Sequence, residues 1–193
     1  MIDSNTMYYT FSSIPQILGV LIAVLVAFVH FRITRLEDYL VGDGQATYNR
    51  LGEIGFILTK REQKRLLDAI GRKNIYEIKN VLKKLSEIEK KEGHTKETRK
   101  TGLQVIYEDR FCGTLDQIDR LKKLTLKAVG LATFTIILSL LSLGLVDLIL
   151  KCNCFPMVSL IINIILTIIT VVLSYLVIYQ GLIKKTLHET VIE

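Results

Sequence analysis

The sequence predicts an all-α integral membrane protein: an N-terminal transmembrane helix, a C-terminal transmembrane hairpin and a cytoplasmic helical domain between them. Three observations predict it. Ile14–Phe31, Ala128–Leu150 and Phe155–Leu182 are long, apolar and free of charge at their centres. A bilayer hydrocarbon of about 30 Å needs roughly 20 apolar residues per spanning helix. Charge is concentrated elsewhere, since all Lys and Arg residues except Lys151, Lys184 and Lys185 lie in segment 32–127. No stretch shows the two-residue alternation of a half-buried strand.

The expected organisation is an outer N-terminal segment (1–13), span one (14–31), a cytoplasmic domain (32–127), span two (128–150), an outer turn (151–155), span three (156–182) and a tail (183–193). Orientation follows from basic residues at the span ends. Segment 1–13 has none, whereas Arg32 and Arg35 follow span one, and Arg120, Lys122, Lys123 and Lys127 precede span two. Lys184 and Lys185 follow span three. The N-terminus and the 151–155 turn should therefore face outward, and the central domain and tail the cytoplasm of a multi-pass cell-membrane protein. Span one reads as a retained anchor, because its basic residues follow the apolar run and no small-residue cleavage site comes after it. The two prolines, Pro15 and Pro156, are expected at the outer starts of spans, where a missing N–H is harmless.

Within the domain, span one should continue as a helix to about Val41 and break at Gly42-Asp43-Gly44. An amphipathic stretch then offers Tyr48, Leu51, Ile54, Ile57 and Leu58 to one face. Thr59 with Glu62, and Asn74 with Glu77, have capping-box spacing. The first should start a helix ended by Gly71. The second should start one whose Ile78, Val81, Leu82, Leu85 and Ile88 recur at helical spacing. A helix near 96–111 follows, and Thr114 should cap a last helix running into span two.

Each span carries a small or polar stripe. Span one has Gln16, Gly19, Ala23, Ala27 and His30. Span two has Ala128, Ala132, Thr135, Ser139 and Ser142, and span three has Ser159, Asn163, Thr167, Thr170 and Ser174. Helices in lipid associate through small residues and side-chain hydrogen bonds. Counted from a turn at residue 153, Ser142 falls level with Asn163, Ser139 with Thr167, Thr135 with Thr170 and Ala132 with Ser174, which predicts a polar zipper. The stripes read either as helix-packing contacts or as the lining of a water-filled path in an oligomer. His30 and Asp147 are the only ionisable candidates in the spans and both lie near interfaces, which disfavours a coupled transporter.

Other chemistry is weakly represented. His30, His94 and His188 are scattered without metal-ligand spacing. Gly42-Asp43-Gly44-Gln45 resembles a calcium loop only at its start, because Ile54 stands where a bidentate acid belongs. There is no phosphate loop or Rossmann fingerprint. Glu108, Asp109, Asp116 and Asp119 read as solvated carboxylates with Arg110 and Arg120 nearby. Cys152 and Cys154 are too close for an unstrained disulfide with each other. Lysines 79, 83, 84, 90 and 91 read as a solvated face. Their alternative role, shared with Arg120, Lys122, Lys123 and Lys127, is contact with anionic headgroups. No aromatic residues interleave the charges as nucleic-acid binding would require.

The functional expectation is a non-enzymatic, cofactor-free, homo-oligomeric membrane protein, concretely a passive channel assembled or gated by its cytoplasmic domain. The alternative is a membrane-anchored scaffold or regulatory subunit whose cytoplasmic helices bind a protein partner.

Overall fold

Helix is the only regular structure among the described residues, which in this computed structural model are 4–53, 60–92, 105–147 and 155–183. The elements are α1 (Ser4–Glu53), α2 (Lys60–Gly71), α3 (Ile75–Glu92), a π-helix (Val105–Cys112), α4 (Gly113–Gly144) and α5 (Phe155–Ile183). Three helical stretches, Asn5–Asn49, Arg110–Gly144 and Met157–Leu182, are long and apolar enough to cross a membrane. The chain forms two compact units: Met1–Phe31 with Arg120–Glu193, and Arg32–Asp119.

In the second unit, α1 does not break at Gly42-Asp43-Gly44, contrary to the sequence expectation; it runs unbroken to Glu53. Gly44 serves close approach instead of a turn. A Cβ there would lie 3.1 Å from Ile78 Cγ2, so the missing side chain lets α3 approach the backbone of α1. Burial against α3 outweighs the helix penalty of about 1 kcal/mol per glycine. Leu40, Leu66, Ala69, Ile78, Val81, Leu82, Leu85, Phe111 and Ile118 form the core of the unit, with Ile33, Leu36, Tyr48 and Tyr107 packed against it.

The α2–α3 junction shows how local sequence sets geometry. Asn74 caps α3, accepting a hydrogen bond at Oδ1 from the Glu77 N–H at 3.2 Å, as its spacing predicts. Gly71 closes α2 but is not the left-handed residue. That is Lys73, at φ 51°. Lys73 N–H donates to Ile70 O and Asn74 N–H to Ala69 O, the two bonds of a Schellman motif. Lys73 Nζ also donates to Asp38 Oδ1 at 2.7 Å. This bond and the Asp38 charge hold the Lys73 ammonium above its usual range. The cap expected at Thr59 lies outside the described residues.

A second correction concerns Thr114, which does not cap a helix. Its hydroxyl donates to Arg110 O at 2.8 Å, within the helical run. The π-helix leads directly into α4 and carries Phe111 and Tyr107 toward the core. Tyr39 lies near Asp43 and Arg110; burial and then the Asp43 charge push its phenol up, while Arg110 pulls the other way.

Candidate functional site

The first unit holds α1 up to Phe31, α4 from Arg120, and α5. Its polar residues fall into two groups with opposite fates.

The first group is turned inward. Thr135, Ser139 and Ser142 of α4, and Asn163, Thr170 and Ser174 of α5, are all buried, as are Ala128 and Ala132; Thr167 is half-buried. Direct bonds between α4 and α5 concentrate at one level. Asn163 Nδ2 donates to Ser142 Oγ at 3.4 Å, and Ser142 Oγ lies 3.3 Å from Ser159 Oγ. Asn163 Nδ2 also donates to Ser159 O. Asn163 Oδ1 is buried with no hydrogen-bond partner among the described residues. The remaining hydroxyls do not zip the hairpin together. Thr135, Thr167 and Thr170 each donate to the carbonyl four residues earlier in their own helix. A threonine satisfied by its own helix needs no polar neighbour, so depth matching alone does not make a bond.

Ser139 is the exception, and it faces α1 rather than Thr167. Its Oγ donates to the Phe11 carbonyl at 3.0 Å. Pro15 explains why that carbonyl is available. The proline lies inside α1 rather than in its first turn. Having no N–H, it leaves the carbonyl four residues earlier without a helical donor. A side chain from a neighbouring helix meets that need. Nearby, Met7, Phe11 and Val146 pack into one cluster with Leu143 and Leu160, and Tyr8 Oη donates to Asp147 Oδ1 at 3.3 Å. The stretch from Ser4 to residue 13 is therefore helical and packs on the hairpin.

At the opposite end of the unit, Gly181 marks a close approach. A Cβ on it would lie 2.8 Å from Phe28 Cε1 and 3.9 Å from Leu121 Cδ2. Phe28, Leu121 and Gly181 thus share one level, as Phe11 and Ser139 do near the other end. These two levels fix α1 antiparallel to α4 and parallel to α5.

The second group is turned outward. The face of α1 that packs inside the unit is Met7, Phe11, Ile14, Leu18, Leu25 and Val29, all buried. At 100° per residue the stripe Gln16, Gly19, Ala23, Ala27, His30 is centred roughly 150° away. All five residues are exposed. The small residues of α1 are therefore not used to dock it on the hairpin. Asn5 and Tyr9 extend the same exposed face toward the N-terminus, with half-buried Ser12 between that pair and Gln16. A hydropathy reading misses these three because they precede the apolar run; their signal is the shared helical phase.

Arg120, Lys122, Lys123 and Lys127 are exposed along α4 beside buried Leu121 and Ala128. Antiparallel packing puts Lys127 level with Tyr175. Tyr175 and Tyr179 are exposed and stacked, with ring centroids 6.1 Å apart. Of the α3 lysines whose side chains are described, Lys83 and Lys84 are exposed and Lys79 half-buried. His94, His188, Cys152 and Cys154 lie outside the described residues. Among the described residues no group of three or more His, Cys, Asp or Glu side chains could hold a metal ion. Comparison with protein-family models, with curated proteins and with solved structures gives no match.

Proposed function

We propose that this chain is a multi-pass membrane protein that works as a homo-oligomer without catalysis, most concretely as a passive channel whose subunits meet through their membrane helices. One observation carries the reading: the small and polar face of α1 is exposed, while the polar stripes of the hairpin lie inside the chain. Exposed residues on α5 between Met157 and Val172 are all apolar, which suits lipid. The α1 face suits another helix instead. Any aqueous path then runs along α1 and not along the hairpin hydroxyls, and neutral groups suffice to line it.

The membrane boundary on the basic side is drawn at Lys127, Tyr175 and Tyr179, since aromatic and basic side chains favour the headgroup level. That end faces the cytoplasm by the excess of basic residues, and the N-terminus faces out. Arg120, Lys122 and Lys123 then meet anionic headgroups, each contributing about 1 kcal/mol near such a surface. The second unit becomes a cytoplasmic domain fed by α1 and α4.

Native mass spectrometry of the detergent-solubilised protein, paired with ion flux into proteoliposomes, tests the reading. The expected result is one defined oligomer that conducts. A monomer at every concentration overturns it. The second reading is then favoured, a membrane-anchored scaffold binding a protein partner through the cytoplasmic helices, because the hairpin is already closed within one chain.

A further inference from the structure

We infer that the outward face of α1, from Asn5 through Tyr9, Ser12, Gln16 and Gly19 to Ala23, is where copies of this chain meet, α1 against α1. This rests on the oligomeric membrane reading above and names the surface that assembles it.

Depth carries the argument. The contacts of Met7 and Phe11 with Val146, and of Ser139 with the Phe11 carbonyl, set Asn5–Gly19 beside the outer half of α4. There α4 exposes Phe134, Ile137, Leu140 and Leu141. Its exposed Thr133 is satisfied by the Val129 carbonyl. At the same depth α5 exposes Ile161, Ile165 and Ile168. This is the layer two of the three helices prepare for hydrocarbon, yet α1 turns Tyr9 and Gln16 out of the unit in it, with Asn5 at its outer edge beside the Tyr8–Asp147 pair. The Ser12 hydroxyl is satisfied by the Tyr9 carbonyl at 3.1 Å. The Gln16 amide makes no hydrogen bond among the described residues. An unpaired amide in hydrocarbon costs several kcal/mol, so lipid is the wrong neighbour.

A second copy is the right one. A primary amide carries both donors and an acceptor, so Gln16 complements Gln16. A symmetric contact places the same patch on both sides and needs that self-complementarity. One turn further, Gly19 and then Ala23 remove the bulk that would hold two backbones apart. A Cβ at Gly19 would meet nothing within 4 Å in the chain, so the glycine is not required by its own fold. Exposed Val20 and Val24 border the stripe with apolar surface on one side, and exposed Val26 on the other.

The test uses full-length protein in membranes with Cys112, Cys152 and Cys154 replaced by Ser. Mild oxidation should link Gln16→Cys, and separately Gly19→Cys, into disulfide dimers, while Ile161→Cys and Ile168→Cys on α5 stay unlinked. In the native-cysteine protein, Gln16→Leu should weaken association about fivefold with an unchanged melting temperature of the dissociated chain. A monomeric parent protein overturns the oligomeric reading and this inference with it. An intact oligomer that links through α5 but not α1 overturns this inference alone. So does linkage of the α1 cysteines to a different polypeptide, or their modification by a membrane-impermeant thiol reagent without linkage. Should Gln16→Leu impair folding, the Gly19→Cys pattern decides by itself.

Discussion

Pro15 and Ser139 belong to one device: the proline removes the helical donor from the Phe11 carbonyl, and the serine, on another helix, replaces it at 3.0 Å. The bond pins the N-terminal turns of α1 to α4. A double-mutant cycle reads it out. Ser139→Ala leaves the buried Phe11 carbonyl unpaired and should cost about 1–3 kcal/mol. In a Pro15→Ala background the backbone N–H returns to that carbonyl, and Ser139→Ala should be nearly neutral. Equal costs in both backgrounds, measured by thermal unfolding in detergent, would show that the two residues are not coupled.

Gly181 is predicted to resist substitution because the Phe28 ring occupies the space of its missing Cβ. Gly181→Ala should destabilise by about 1–3 kcal/mol, the usual cost of overpacking. Phe28→Leu, which shortens the side chain, should recover part of that loss. A neutral Gly181→Ala in the same assay would mean that the ring moves aside freely.

At the α2–α3 junction two substitutions should act in opposite directions. Asn74→Ala removes the α3 cap and should cost about 1 kcal/mol. Lys73→Gly relieves a left-handed position that β-carbon-bearing residues dislike and should stabilise, because the exposed Asp38 pair it gives up is weak. The pair raises the Lys73 pKa, so its contribution is in place at neutral pH and disappears as the pH climbs through that raised value, above 10.5. Melting temperatures of both variants between neutral and strongly alkaline pH check the signs.

Topology yields a fourth prediction. Single cysteines placed in 151–155 should be labelled by an impermeant reagent from outside intact cells, and cysteines in 60–92 only after the cytoplasmic side is opened. Labelling of 60–92 from outside would reverse the orientation drawn from the basic residues.

Much of this architecture was legible in the sequence. Apolar runs that meet or approach the length needed to cross a bilayer marked three helices, and periodicity named Ile78, Val81, Leu82 and Leu85 as a buried face, where they lie. The Asn74 cap was readable because a cap is settled by residues three positions apart. The depth match of Ser142 with Asn163 was readable too, because a short turn constrains an antiparallel hairpin near its closed end.

What escaped the sequence was decided by neighbours distant along the chain. Gly42-Asp43-Gly44 has the composition of a turn, yet Gly44 stays helical because Ile78 packs where its side chain would be. Thr114 has the spacing of a cap, yet it lies within a helical run and bonds back to Arg110. Averaged hydropathy starts the first span at Ile14 and cannot see that Met7 and Phe11 already form one apolar edge, which only Val146 makes worth burying. Short-range periodicity was enough to mark the three apolar segments as helical and to show which stripes are small or polar. Which stripes close on the hairpin, and which face of α1 stays open, follows from how the three helices pack. A helix's rotation about its axis is set by the packing of large side chains such as Phe11 and Leu18, and that packing exists only once the partner helices are in place.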